Sequence, residues 1–324
     1  MSPESYIRSL PKAELHLHLE GTVEPATLAR LAAMHGLPQP SPQLYQFADF
    51  SGFLQAFKVV AEHLKSPQDY HLVTRSMIER LRRDGVVYAE VYIAAGVMFW
   101  KGESFAELFE GIQLGAQEGL ARHGVRVRWV LDATRQFGPE AAQRVAETAA
   151  EFRERGVIGI GIGGDERQAP PELFDQVYAY ARRKGMRLTA HAGEVAGPES
   201  VRGALDILGA ERIGHGVTAA RDPELVARLA KSQVPVDICL TSNLRTGAIA
   251  GLEEHPLRRY FDAGMLVSLS TDDPAMFQTD LTREYLLAHE RFGFTKAELA
   301  QLAAQSFRAS FLSAEEKSRY TAGT

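Results

Sequence analysis

Eight short apolar segments alternate with stretches of helical spacing, and this alternation constrains the fold more than any other feature of the chain. The segments are Ala13–Leu19 ("AELHLHL"), Val86–Ala95, Val125–Thr134, Val157–Gly164, Arg187–Glu194, one beginning at Arg212, one beginning at Val234, and Leu266–Asp273. Several are β-branched or apolar runs with little polar alternation, as expected of strands covered on both faces. Between the second and third, Phe105, Leu108, Ile112 and Ala116 form one helical stripe that closes at Gly124. Another helical stretch opens at Pro171 and stops at Gly185. Eight such units predict a (β/α)8 barrel occupying residues 1–324 as a single α/β domain. An open doubly wound sheet is the alternative. No G-x-G-x-x-G opens a helix after the first strand, which weakens its nucleotide-binding form.

One segment exceeds a simple barrel unit. Residues 39–84 are too long for a single helix and carry Phe47, Phe50, Phe53 and Phe57. We expect extra helices after the first strand, lying over the active-site face as a lid, with Phe57 assigned to packing on the barrel.

The net charge of −5 gives no nucleic-acid or membrane surface. Cys239 is the sole cysteine, so an intramolecular disulfide and a thiolate-rich zinc site are both excluded. No apolar run suggests a signal peptide or a membrane span. These observations predict a cytoplasmic enzyme or binding protein with a small-molecule partner, and they leave the oligomeric state open.

Active sites of such barrels lie at the carboxyl ends of the strands. His16 and His18, two apart in the first segment, point to one face. His191 and Glu194 close the fifth segment, His215 the sixth, and Asp272 and Asp273 the eighth. The other histidines, at positions 35, 63, 71, 123, 255 and 289, fall in helices or loops. Four histidines and three carboxylates converging on strand ends point to a metal centre. His16, His18, His191 and Asp272 supply four donors of a kind that suits zinc. The fourth segment ends Gly163-Gly164-Asp165, with no lysine to carry a bridging carboxylate, so one ion per chain is expected rather than a pair.

The motifs "LPKAELHLHLEG", "GGDE", "HAGE", "RIGHG" and "STDDP", in order from Leu10 to Pro274, resemble the adenosine deaminase family of the amidohydrolase superfamily. The resemblance implies a zinc (β/α)8 enzyme that removes the exocyclic amine of a 6-aminopurine. The cytidine-deaminase signature is absent. In such an enzyme the metal makes water nucleophilic. Glu194 would protonate ring N1, His215 would orient the attacking group, and Asp273 would stand on the N7 side. His18, Glu20, Gly164 and Asp273 are the expected substrate contacts, Gly164 through its backbone N–H to N3. The family's best-known adenosine deaminases have aspartate where this chain has Glu20. The glutamate form also occurs in adenine deaminases and in deaminases of 6-amino-6-deoxyfutalosine. Arg245, in "SNLRTGA", is a candidate partner for the benzoate carboxylate of that compound. A 6-aminopurine nucleoside is therefore the expected substrate, ahead of free adenine. A non-catalytic purine-binding or interaction protein is disfavoured by the completeness of the constellation.

Overall fold

The computed structural model describes residues 2–321 and shows eight parallel strands in the order β1 to β8, each paired with its neighbours in sequence. They are β1 (Lys12–His18), β2 (Val86–Ile93), β3 (Arg126–Thr134), β4 (Val157–Gly163), β5 (Arg187–Ala192), β6 (Arg212–His215), β7 (Val236–Ile238) and β8 (Val267–Leu269). Helices between the strands cover the outside, as a (β/α)8 barrel requires. Among the described residues no helix is long and apolar enough to cross a membrane.

Three strands end earlier than their apolar runs suggest. Strand β5 stops before Gly193, whose φ of 72° leaves the extended region. Strand β7 stops at Ile238, and Leu240–Arg245 forms a short helix. Strand β8 stops at Leu269, and Asp272 adopts a φ of 66°. Glu194, Asp272 and Asp273 thus stand on loops just beyond the strands.

The barrel closes through one of these loop residues. Asp272 N–H donates to the His16 carbonyl at 2.9 Å, and His18 N–H donates to the Asp272 carbonyl at 2.8 Å. An isolated parallel bridge joins Leu17 to Asp272.

The interior is not wholly apolar. Arg212, fully buried on β6, pairs with Glu90 of β2, lies 2.8 Å from Asp237 of β7, and donates to the Leu15 carbonyl of β1 at 3.1 Å. Glu90 also accepts from the Tyr88 hydroxyl and from the N–H of Phe311, so one ionic group ties four strands to the C-terminal segment.

Residues 39–84 contain two long helices, Phe50–His63 and Pro67–Arg83. Asp49 caps the first through the Gly52 N–H, and Ser66 and Asp69 form a capping box on the second. The second helix packs on Phe105–His123, where added Cβ atoms at Gly115 and Gly119 would meet Thr74 and Ile78 at 2.8 and 2.4 Å.

Replacing Arg212 with Met strands two buried carboxylates. We expect a loss of about 3–5 kcal/mol in unfolding free energy, read from urea denaturation. A loss below ~1 kcal/mol would mean that the ionic group does not hold the barrel together.

Candidate active site

The four expected ligands meet at the carboxyl end of the barrel. One ligand atom from each of His16, His18, His191 and Asp272 lies within 4.8 Å of the others. His16 Nε2 and His18 Nε2 stand 2.9 and 3.2 Å from His191 Nε2, and 3.4 and 3.3 Å from Asp272 Oδ1. Burial pushes His18 down to about 3 and His191 well below its usual value, so both rings are neutral. His191 Nδ1 donates to the Ile162 carbonyl at 3.1 Å, which leaves Nε2 as a bare lone pair. That lone pair cannot accept from both neighbouring rings at once. A cation among the four satisfies every donor atom together, and three nitrogens with one carboxylate oxygen form a set that suits zinc.

Surrounding bonds aim these ligands. The Ser242 hydroxyl donates to Asp272 Oδ2 at 2.6 Å. Buried Arg135 donates to the His191 carbonyl at 2.8 Å and to the Ala169 carbonyl at 2.9 Å, fixing the end of β5.

A cavity of about 340 Å³ opens onto the cluster, within the usual range of small-molecule sites, roughly 300–1,000 Å³. His18, Gly164, His191, Glu194, His215, Asp272 and Asp273 all line it. Burial pushes the Glu194 carboxyl up to about 7, and its Oε2 lies 3.6 Å from His215 Nε2. Asp273 is buried beside Asp272, and both burial and that neighbouring charge raise its carboxyl well above the ordinary range. An added Cβ at Gly21 would stand 2.0 Å from Asp273 Oδ1, so the glycine of "HLEG" makes room for this acid. Gly164 has a φ of 92°, a conformation that favours glycine.

A chain of polar contacts defines the tautomer of His215. The Leu257 N–H donates to His255 Nδ1, so His255 carries its proton on Nε2 and donates to Asn243 Oδ1 at 3.1 Å. The Asn243 amide nitrogen then donates to His215 Nδ1 at 3.0 Å. His215 is left with its proton on Nε2, facing Glu194. His255 lies among the histidines that the sequence places away from strand ends, and nothing in its local pattern signals this contact.

Several expected residues stand elsewhere. Glu20 does not line the cavity, because its carboxylate accepts from the Ala94 N–H at 3.2 Å. Arg245 does not line it either. Its guanidinium donates to the Tyr45 carbonyl at 2.9 Å and lies over the Phe47 ring, tying the insertion down. Phe50 and Phe53 line the cavity, and so does Phe57, contrary to its assignment to packing. Phe57 points its edge at His18, whereas Phe47 packs on Phe53 and Phe277. At the rim, Trp100 stacks on Phe137 and Lys58 stands 5.1 Å over the Trp100 ring.

Two residues given no role from sequence belong here. Glu166, just after Gly164 in the "GGDE" motif, accepts from the backbone N–H groups of Gly193, Glu194 and Val195 at 2.7, 2.8 and 3.0 Å, and from the Ser200 hydroxyl. It holds the loop that carries Glu194. Asp132, near the end of β3, lines the cavity at 8% exposure, and the strand-end rule alone is enough to flag it.

The adenosine deaminase family model matches residues 11–322. An aminodeoxyfutalosine deaminase from Acidothermus cellulolyticus is 40% identical over 295 residues, covering 87% of this chain and 83% of that protein. The crystal structure of an adenine deaminase from Arthrobacter aurescens superposes with a TM-score of 0.92 at 30% identity, covering 97% of each chain. An amidohydrolase from Burkholderia ambifaria, solved with bound Zn, superposes with a TM-score of 0.92 at 28% identity, covering 100% of this chain and 92% of that one.

Zinc added to metal-stripped protein should bind at about one ion per chain and raise the unfolding free energy by roughly 4 kcal/mol when free ion reaches about 1,000 times Kd. His191→Ala and Asp272→Ala should abolish both effects. Metal uptake and melting temperature report this directly, and an unchanged zinc response in both variants would remove the cluster as the metal centre.

Proposed function

The chain belongs to the adenosine deaminase family, and on that premise we propose that it is a zinc-dependent hydrolase that converts a 6-aminopurine nucleoside and water to the 6-oxopurine and ammonia. The reading rests on one observation: three of the four converging ligands, together with Glu194 and His215, line the same cavity. When bound, zinc supplies the Lewis acidity that makes water nucleophilic at neutral pH.

The chain's own residues supply the rest. Glu194, whose carboxyl burial raises to about 7 and so poises for proton transfer near neutral pH, delivers a proton to ring N1 and so makes C6 electrophilic. Glu166 positions it by fixing the backbone of residues 193–195. His215, held by Asn243 with its Nε2–H toward the cavity, orients the attacking group. The Gly164 N–H meets N3, where the missing side chain permits close approach. Asp273 stands across the ring on the N7 side, and His18 closes the floor. Phe50, Phe53 and Phe57 cover the purine and exclude water.

Adenosine and aminodeoxyfutalosine are the substrates that this reading ranks first. A cavity that runs past the purine position to Trp100, Phe137 and Lys58 offers more wall than a free base needs. An aromatic rim with a lysine above it suits the benzoate end of aminodeoxyfutalosine, the substrate named for the Acidothermus relative. Free adenine is the second reading, supported by the likeness to the Arthrobacter adenine deaminase.

Glu194→Gln keeps the shape but cannot deliver the proton. Its kcat should fall by about 10²–10⁴-fold, roughly 3–6 kcal/mol of barrier, with zinc retained. Retention of more than about a tenth of wild-type kcat would assign the acid elsewhere. A panel of adenosine, aminodeoxyfutalosine, 5′-methylthioadenosine and adenine, compared by kcat/KM, should rank the nucleosides above the base. Adenine at the head of that ranking would establish the second reading.

A further inference from the structure

We propose that Glu14 is a positioning residue of the metal centre: it holds Thr271, and through Thr271 it sets the distance between the ligands His16 and Asp272. The inference rests on the zinc reading above and deepens it.

Within the motif Leu10–Gly21, His16 and His18 have a task in that reading and Glu14 has none. Yet Glu14 is a carboxyl only 2% exposed, on β1 two residues before His16. Burying a carboxyl is costly, and a fold keeps one where its oxygens make bonds that nothing else makes. Glu14 Oε1 accepts from the Thr271 N–H at 3.1 Å and from the Thr271 hydroxyl at 2.5 Å. Thr271 is itself 2% exposed and immediately precedes Asp272.

The position of these bonds decides their effect. Strand β8 ends at Leu269, whereas the ligand on this side stands at Asp272. Over the two residues between, side chains take the place of a ladder. The Ser270 hydroxyl accepts from the N–H groups of Leu15 and His16 at 3.3 and 3.2 Å, and Glu14 takes the N–H of Thr271. Backbone pairing follows one residue later, where Asp272 N–H donates to the His16 carbonyl. Removing the Glu14 oxygen leaves the buried Thr271 N–H without that partner, next to a residue held at a φ of 66°.

The ligand most exposed to such a change is His16. His191 is fixed a second time through Nδ1 on the Ile162 carbonyl, and Asp272 through Oδ2 on the Ser242 hydroxyl. His16 Nδ1 is buried with no hydrogen-bond partner among the described residues. Its ring therefore follows its backbone, which is bonded to Ser270 and Asp272, the two neighbours of the residue that Glu14 holds.

The test is the zinc Kd of metal-stripped full-length protein, measured by competition with a chelator at a temperature where far-UV circular dichroism shows each metal-free variant folded. Glu14→Ala should raise Kd by about 10–100-fold, the range typical of losing a group that holds a ligand in place. Glu14→Gln keeps an acceptor oxygen at the same reach and should stay within about threefold of wild type. Should Glu14→Ala fail to fold, Thr271→Val, which removes only the hydroxyl, carries the comparison, with Kd expected to rise at least about threefold. A group that served stability alone would lower the melting temperature of the metal-free protein and leave the Kd of the folded variant unchanged. That result would overturn the inference, as would a Glu14→Gln variant no better than Glu14→Ala, and both leave the metal centre standing. Wild-type protein that takes up no zinc would remove the metal centre itself, and this inference with it.

Discussion

The structure depends on a seam. Strands β8 and β1 join through the backbone of Asp272, which bonds to His16 on one side and His18 on the other. Those three residues also carry three of the four ligand atoms of the cluster. Closing the barrel and placing the ligands are therefore one event. Peptide geometry, stiffer than any side-chain rotamer, sets the spacing of the donor atoms. The fourth ligand, His191, comes from the far side of the barrel, where Arg135 and the Ile162 carbonyl fix its strand end and its ring.

Below this cluster the barrel interior carries formal charge, with Arg212 between Glu90 and Asp237. The contrast follows from solvation. An arginine held by two carboxylates and a carbonyl stays ionised without water, whereas burial pushes the imidazoles of His18 and His191 toward the neutral form. Neutral imidazoles are what a metal requires. The barrel thus keeps its fixed charge in one layer and the nitrogens of the candidate metal cluster in another, beside Glu194 and Asp273, whose carboxyls burial raises.

The eightfold alternation makes the barrel legible in the amino-acid order itself, and the strand-end rule picks out His16, His18, His191, His215 and Asp272, all of which meet. Strand ends are harder to read, because apolar runs continue through Gly193 and Ser270 after the ladder has stopped. What sequence cannot reach are contacts between distant segments. Glu166 reads as a loop charge until its oxygens are seen on the N–H groups of residues 193–195. His255 reads as a histidine away from the strand ends until Asn243 links it to His215. Arg245 reads as a substrate contact until the Tyr45 carbonyl claims it. Phe47 and Phe57 carry the same side chain in one segment, but Phe47 stands before the Phe50–His63 helix and packs on Phe53 and Phe277, whereas Phe57 stands within it and reaches the cavity.

His215 and Asp272 share one further property: each is a non-glycine residue with φ of 66°. For an L-residue that conformation costs roughly 1–2 kcal/mol, and glycine would relieve it. Gln233 and Gln278 share the strain, at φ of 55° and 57°, but both are exposed and neither belongs to the cluster. A search for heat resistance would accordingly place glycine at those two turns and spare His215 and Asp272, whose buried partners Asn243 and Ser242 would be stranded by the loss of the side chain.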